Sequence, residues 1–330
     1  MTATLRVGLV GLGMMGRHHA RVLDSLPGVD LVACADPRGD VHGAATGRTV
    51  GADVESVVRA GVDYCVVAVP TALHEPVASV LAEARVPTLI EKPLAMDPEA
   101  AGRLVEMYRN AGTLAAVGHV ERYNPALREA RRRLTHGALG DLYQVATRRQ
   151  GPFPRRVGDV GVVMDLGTHD IDLTEWVSQQ QIVSVSARMT HRSGRDHEDL
   201  VAVVGQLRNG VITSHLVNWL SPFKERLVVL TGTQGSFVVD TLAADLTYFA
   251  NGETEQSWDA IAQFRGVSEG DVIRYAFPKP EPLRTEHEAF RDAVRGEDAD
   301  IVTLESATRT IEVAEACLQS ARTSSTVAVL

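Results

Sequence analysis

The first third of the chain alternates short apolar runs with stretches of helical spacing. Leu5–Val10, Leu31–Ala35, Tyr64–Val69, Thr88–Ile90 and Leu114–His119 are rich in Val, Leu and Ala and end in turn residues, the pattern of buried parallel strands. Helical periodicity follows Gly16, covers Val54–Val58 and His74–Ala84, and resumes after Asp97-Pro98, where Asp97 supplies an N-cap and Pro98 the first helical position. The pattern changes near residue 122. A helix is predicted from Pro125 to Leu134, a strand over Leu142–Arg149, a Gly/Pro/Arg-rich loop over 151–161 and a helix over Asp165–Ser178. Strands separated by turn signals follow at Ile182–Thr190, Asp199–Leu207, Val211–Trp219, Arg226–Leu230, Ser236–Val239 and Leu246–Phe249. Residues 250–280 read as irregular, and helices near 284–295 and 303–322 end the chain. The fold class expected is α/β: an N-terminal Rossmann domain (1–122) with a doubly wound parallel sheet, then a C-terminal α+β domain (123–330) with a large, mainly antiparallel open sheet.

The junction of the first strand and helix carries the first chemical signal. Gly11-Leu-Gly13-Met14-Met15-Gly16 joins them, and glycines at this spacing make a tight turn, let backbone approach a pyrophosphate, and let helix pack closely on strand. The amides of Met14 and Met15 lie at the helix start, which favours phosphate charge. The second strand ends in Asp36, twenty residues after Gly16, where a carboxylate accepts hydrogen bonds from the adenosine ribose and repels a 2′-phosphate. This favours NAD over NADP. Arg38 binds a phosphate there or covers the adenine ring. The later strand ends, Pro70-Thr71, Glu91-Lys92-Pro93 and Gly118-His119, fall on the ligand side of such a sheet.

Composition narrows the class. The chain of 330 residues is 45% hydrophobic and 23% charged, with a net charge of −9, the profile of a globular protein without affinity for nucleic acid or membrane surfaces. Cys34, Cys65 and Cys317 are too scattered for disulfides or a zinc cluster, and no metal site is expected. No signal peptide or membrane-spanning run is read, which points to the cytoplasm.

Taken together, the glycine turn, Asp36, Pro70-Thr71 with His74, Glu91-Lys92-Pro93 and the Asp165-x-x-x-His169 spacing resemble the Gfo/Idh/MocA family of sugar and polyol oxidoreductases. Within it, Gly118-His119-Val-Glu-Arg122-Tyr-Asn124-Pro125 is similar to the form found in UDP-N-acetylglucosamine 3-dehydrogenases and related nucleotide-sugar enzymes. The resemblance implies NAD held by Gly11, Gly13, Met14, Met15, Gly16, Asp36, Arg38, Pro70, Thr71, His74, Glu91, Lys92 and His119. It implies substrate bound by Lys92, Asp165 and His169.

Oxidising a secondary alcohol requires a base for the hydroxyl proton and a cation for the developing alkoxide. His169, titrating near neutrality, suits the first role and Lys92 the second; the roles exchange if a dry pocket favours neutral lysine. Asp165, four residues before His169, orients the imidazole or a substrate hydroxyl. Arg122, Arg155 and Arg156, with Asn124 beside them, are candidates for a nucleotide diphosphate, to which arginine forks are suited. The expected reaction is NAD-dependent oxidation of a sugar hydroxyl, with UDP-N-acetylglucosamine going to its 3-keto form. A free-sugar or inositol dehydrogenase, a redox-neutral NAD-dependent sugar enzyme and a non-catalytic NAD sensor are the alternatives. His18-His19 reads as structural or exposed, and the run Arg128, Arg131, Arg132, Arg133 as a solvated helix face. The apolar alternation of the C-terminal strands predicts a homodimer or homotetramer formed through that sheet.

Overall fold

The computed structural model describes residues 3–154, 160–252 and 269–329. The chain forms two units, Met1–Val120 with Glu281–Glu315, and Glu121–Pro280 with Ala316–Leu330.

The first unit holds a six-stranded parallel sheet in the order β3-β2-β1-β4-β5-β6, from β1 (Leu5–Val10), β2 (Val29–Ala35), β3 (Val50–Gly51), β4 (Tyr64–Val67), β5 (Thr88–Glu91) and β6 (Ala115–Gly118). Its helices are α1 (Met14–Ser25), α2 (Val54–Arg59), α3 (His74–Glu83) and α4 (Pro98–Ala111). The Asp97 carboxylate caps α4 by accepting from the Ala100 N–H, as its place before Pro98 predicts. The chain order reverses between β1 and β4, so the ends of β1, β4 and β5 meet at the switch point where ligands of such sheets bind.

One boundary differs from the expectation that everything after residue 122 forms the second domain. Residues 281–315 belong to the first unit. Phe290, on α7 (Pro282–Val294), packs edge-on against Tyr64 with ring centroids 5.4 Å apart. The Val117 N–H donates to Val302 O at 2.9 Å, and Arg295 donates to Gly28 O at 3.0 Å. A returning helix completes this core, and the local apolar pattern of 284–295 does not say which sheet it covers.

The second unit is a nine-stranded sheet, order β14-β13-β12-β11-β7-β10-β9-β8-β15, antiparallel except for β7 against β10. The strands are β7 (Leu142–Pro152), β8 (Ile182–Thr190), β9 (Leu200–Leu207), β10 (Ile212–Asn218), β11 (Leu220–Gly232), β12 (Gly235–Asp240), β13 (Asp245–Asn251), β14 (Glu269–Arg274) and β15 (Val327–Ala328). β14 lies in the stretch read as irregular; its polar sequence gives little alternation, and pairing with β13 defines it. One sheet face is covered by α5 (Pro125–Thr135) and α6 (Thr168–Ser178), and α8 (Leu304–Thr323) runs from one unit into the other. Among the described residues no helix is long and apolar enough to cross a membrane.

Candidate functional site

In the first unit the three glycines of the turn play three different parts. Gly11 has φ +95°, and a Cβ on it would meet Ala68 O at 2.5 Å. A Cβ on Gly16 would fall 1.9 Å from Gly11 O, so only glycine lets α1 seat against the turn. Around Gly13 a Cβ would meet nothing within 4 Å, which leaves space over the start of α1. That helix begins without a side-chain cap and without an acidic residue in its first turn, so its amides face that space. The arrangement fits a dinucleotide phosphate.

The Asp36 carboxylate lies under the same turn. It accepts from the Leu12 N–H and the Arg38 N–H, both at 2.9 Å, while the Arg38 guanidinium pairs with it at 3.4 Å. Burial favours the neutral acid, but these donors outweigh it and hold Asp36 below its ordinary pKa. Arg38 is exposed above it.

At the other strand ends, Pro70 precedes a short 3₁₀ turn, Thr71–Leu73, and Thr71 is buried. His74 opens α3 with Nδ1 2.9 Å from Pro93 O and Nε2 3.0 Å from Val69 O, tying the ends of β4 and β5 together. Burial lowers its pKa despite those carbonyls, and the neutral imidazole donates to one of them. Glu91 ends β5 nearly buried, with Oε2 accepting from the Lys92 N–H at 3.1 Å. Lys92 is half-buried, and His119 is buried just past β6.

In the second unit the chain enters α6 through a single π-helical turn, Val163–Gly167, which carries the buried Asp165; His169 follows on the first turn of α6. Single π-turns recur at functional sites. Glu198 fixes this one: its carboxylate accepts from the Val163 N–H at 3.0 Å, and a Cβ on Gly161 would lie 2.0 Å from it. Sequence reasoning misses Glu198, because its partner lies 35 residues away.

Asp170, the residue after His169, belongs to a buried polar network that sequence reasoning misses as well. Arg149, 4% exposed, donates to Asp170 and Glu121 at 2.7 Å each; the Thr147 hydroxyl bonds Asp170 at 3.0 Å and His215 at 2.9 Å. Burial, only partly opposed by Asp170, pushes His215 down to about 4.

Arg122 and Asn124 both have partners within this unit. Arg122 forks onto the buried Asp172 at 2.5 and 2.9 Å, and Asn124 caps α5 while donating to Thr241 O at 2.9 Å. Arg155 and Arg156 lie outside the described residues. Nor is the arginine run of α5 simply solvated: Arg131 stacks on Trp176 and Arg133 on Tyr275. His19, read as structural or exposed, is fully buried and paired with Glu91. Among the described residues no group of three or more His, Cys, Asp or Glu is arranged to hold a metal ion.

Residues 5–119 match the family description "Oxidoreductase family, NAD-binding Rossmann fold", and residues 131–329 match its C-terminal alpha/beta domain. Inositol 2-dehydrogenase 2 of Saccharopolyspora erythraea is 30% identical over 340 residues, 99% of this chain and 96% of that protein. UDP-N-acetylglucosamine 3-dehydrogenase of Acidithiobacillus ferrooxidans is 30% identical over 210 residues, covering 64% of this chain and 66% of its own length. The crystal structure of GenD2 from gentamicin A biosynthesis, in complex with NAD, superposes with a TM-score of 0.82 at 26% identity, covering 100% of this chain and 97% of that one. With a glycine turn that fits a dinucleotide in its first unit and an open sheet in its second, the chain belongs to the Gfo/Idh/MocA family of oxidoreductases, as an NAD-binding dehydrogenase of the sugar and polyol class.

Proposed function

We propose that the chain oxidises a secondary ring hydroxyl of an unactivated cyclic polyol or sugar, with Lys92, His169 and Asp165 as the acting side chains. The observation that carries the substrate class is the Arg122 fork onto Asp172: the described arginine best suited to a diphosphate is already engaged by a buried carboxylate. The full-length similarity to an inositol 2-dehydrogenase supports the same class.

NAD, when bound over the glycine turn, supplies the acceptor for the carbon-bound hydride. The chain's own residues manage the proton and the charge. The His169 imidazole takes the hydroxyl proton, and the Lys92 ammonium donates a hydrogen bond to the oxygen as it becomes an alkoxide and then a carbonyl. Asp165 orients the substrate or the imidazole. Asp36 and Arg38 hold the adenosine end, with Met14, Met15, Thr71 and His119 around the rest of the cofactor.

A second reading, a UDP-linked amino sugar oxidised to its 3-keto form, is favoured by the Gly118–Pro125 motif and by the similarity to UDP-N-acetylglucosamine 3-dehydrogenase. The test is absorbance at the reduced-nicotinamide band with NAD and, in parallel, myo-inositol, glucose and UDP-N-acetylglucosamine. Reduction with a free polyol or sugar is expected; reduction with the UDP-sugar alone would overturn the first reading in favour of the second. Lys92→Ala and His169→Ala should each lower kcat by about a hundredfold or more, and full activity in both would remove the site assignment.

We further propose a homodimer or homotetramer through the open sheet. Its outward face carries Ala202, Val204, Leu216, Leu227 and Val229 around a groove of about 680 Å³. Light scattering at micromolar concentration should give a multiple of the chain mass, and a monomer would contradict the assignment.

A further inference from the structure

Three of the most buried polar groups in the first unit have no part in the chemistry above: His19 and His287, both 0% exposed, and Glu286, 1% exposed. They gather behind Glu91 from elements far apart in the chain. Glu91 Oε1 is 2.8 Å from His19 Nε2, and His19 Nδ1 is 2.8 Å from His287 Nε2, the two rings meeting edge-on at 5.0 Å. The carboxylate accepts, so His19 Nε2 carries the hydrogen; with the imidazole assigned as its neutral tautomer, Nδ1 accepts and His287 Nε2–H donates to it. The hydrogen bonds run in one direction, from α7 through α1 to the end of β5. They end on the carboxylate whose other oxygen holds the Lys92 amide.

Charge follows the same direction. The groups facing Glu91 are His19 from α1, His74 from α3, Lys92 from its own strand end, and Glu286 from α7. Burial, reinforced by Glu91, raises Glu286 well above the ordinary carboxyl range, and its two oxygens have no partner among the described residues. Burial holds His287 well below the usual imidazole value. Burial opposes ionisation of Glu91 too, but the His19 hydrogen bond and the charge of Lys92 prevail. Two buried carboxyls are thus pushed apart, and the negative charge resides on the one beside Lys92.

We propose that His19 and His287 are positioning residues for Lys92, acting through Glu91: the imidazole pair holds the carboxylate as an oriented counter-charge that fixes the Lys92 backbone and presents its ammonium to the substrate oxygen. This rests on the assignment of Lys92 as the alkoxide-stabilising cation. The pair sits on the inner faces of two helices, where it excludes water from the carboxylate it serves.

The experiment compares His287→Met, which removes the donor at similar volume, with His287→Gln, which keeps an N–H near the place of Nε2. His287→Met should lower kcat by roughly ten- to hundredfold while the Kd for NADH, read by nicotinamide fluorescence, stays unchanged. His287→Gln should restore most of the loss. Glu91→Gln removes the counter-charge, which disfavours the neighbouring ammonium, so the alkaline limb of kcat/KM should move to lower pH. His287→Met should move it in the same sense. In a Lys92→Ala background His287→Met should add nothing further. Proton spectra of histidine-labelled protein should show slowly exchanging imidazole N–H signals that vanish in His287→Met.

Parent kcat and pH profile in His287→Met would overturn the proposal, as would equal losses in the Met and Gln variants or a full additional loss on Lys92→Ala. Should His287→Met not fold, an unmoved alkaline limb in Glu91→Gln overturns it by itself. Retained activity in Lys92→Ala is a different result, and removes the Lys92 assignment instead.

Discussion

Replacing Arg149 by methionine tests how the second unit supports His169. The guanidinium is 4% exposed and stands between two carboxylates, Asp170 at 1% exposure and the partly buried Glu121, each reached at 2.7 Å. Methionine fills much of the space but leaves Asp170 with Thr147 as its remaining hydrogen-bond donor in this network. Breaking a buried pair by removing one partner costs about 3–5 kcal/mol, most of it from the charge left behind. In a unit of 150–250 residues each kcal/mol moves the thermal midpoint by about 2–4 °C, so the expected fall is about 6–20 °C. Asp170 is adjacent to His169 on the first turn of α6, and kcat should fall as well when measured well below the unfolding range. The assay is scanning calorimetry of the parent, Arg149→Met and the double variant Arg149→Met/Asp170→Asn. The double variant no longer strands a carboxylate at Asp170 and should recover part of the loss. A shift under about 2 °C in the single variant, or a double variant less stable than the single, would refute the reasoning.

Other perturbations follow from the same geometry. Gly16→Ala places a methyl 1.9 Å from Gly11 O and should weaken NADH binding by roughly tenfold or more in a fluorescence titration; parent affinity would contradict the turn assignment. Asp36→Ala removes the carboxylate that repels a 2′-phosphate, and the NAD-to-NADP ratio of kcat/KM should fall by roughly tenfold or more; an unchanged ratio would count against Asp36 as the ribose partner. His215 is held down to about 4 by burial, so the unfolded chain binds its proton first as pH falls below 6.5. Its contribution to stability is therefore full above pH 6.5 and is lost between 6.5 and about 4, amounting to about 3 kcal/mol. Urea denaturation of His215→Gln across that range should show a flatter pH dependence than the parent, and parallel curves would exclude His215 as the source.

The parts of the molecule legible in the sequence are those whose cause is local. Val- and Leu-rich runs, the three glycines and Asp97-Pro98 each determine a strand, a turn or a cap from neighbours within a few residues. What is not legible depends on distant partners. Arg122 reads as a diphosphate ligand from its sequence, and nothing local shows its pairing with Asp172, 50 residues away. His19 reads as structural or exposed because Glu91 is 72 residues off and His287 is 268. β14, polar and short, owes its existence to β13, and the π-turn before His169 owes its geometry to Glu198. Type and spacing are enough to nominate Lys92 and His169, whereas the buried charges around them come from elements that no local pattern connects.

The return of residues 281–315 to the first unit also constrains how the protein is made. Phe290, Arg295 and Val302 reach Tyr64, Gly28 and Val117 across most of the chain, so the nucleotide-binding unit leaves the ribosome without its last helices. The second unit is likewise unfinished until the Ser320 hydroxyl oxygen accepts from the Ala187 N–H and β15 pairs with β8. Neither unit is therefore complete during synthesis of the other, and the usual domain-by-domain order of folding gives way to a late, joint closure. A fragment ending near residue 122 would lack the aromatic partner of Tyr64 and the imidazole that orients His19, and is expected to be a poor stand-in for the nucleotide-binding domain.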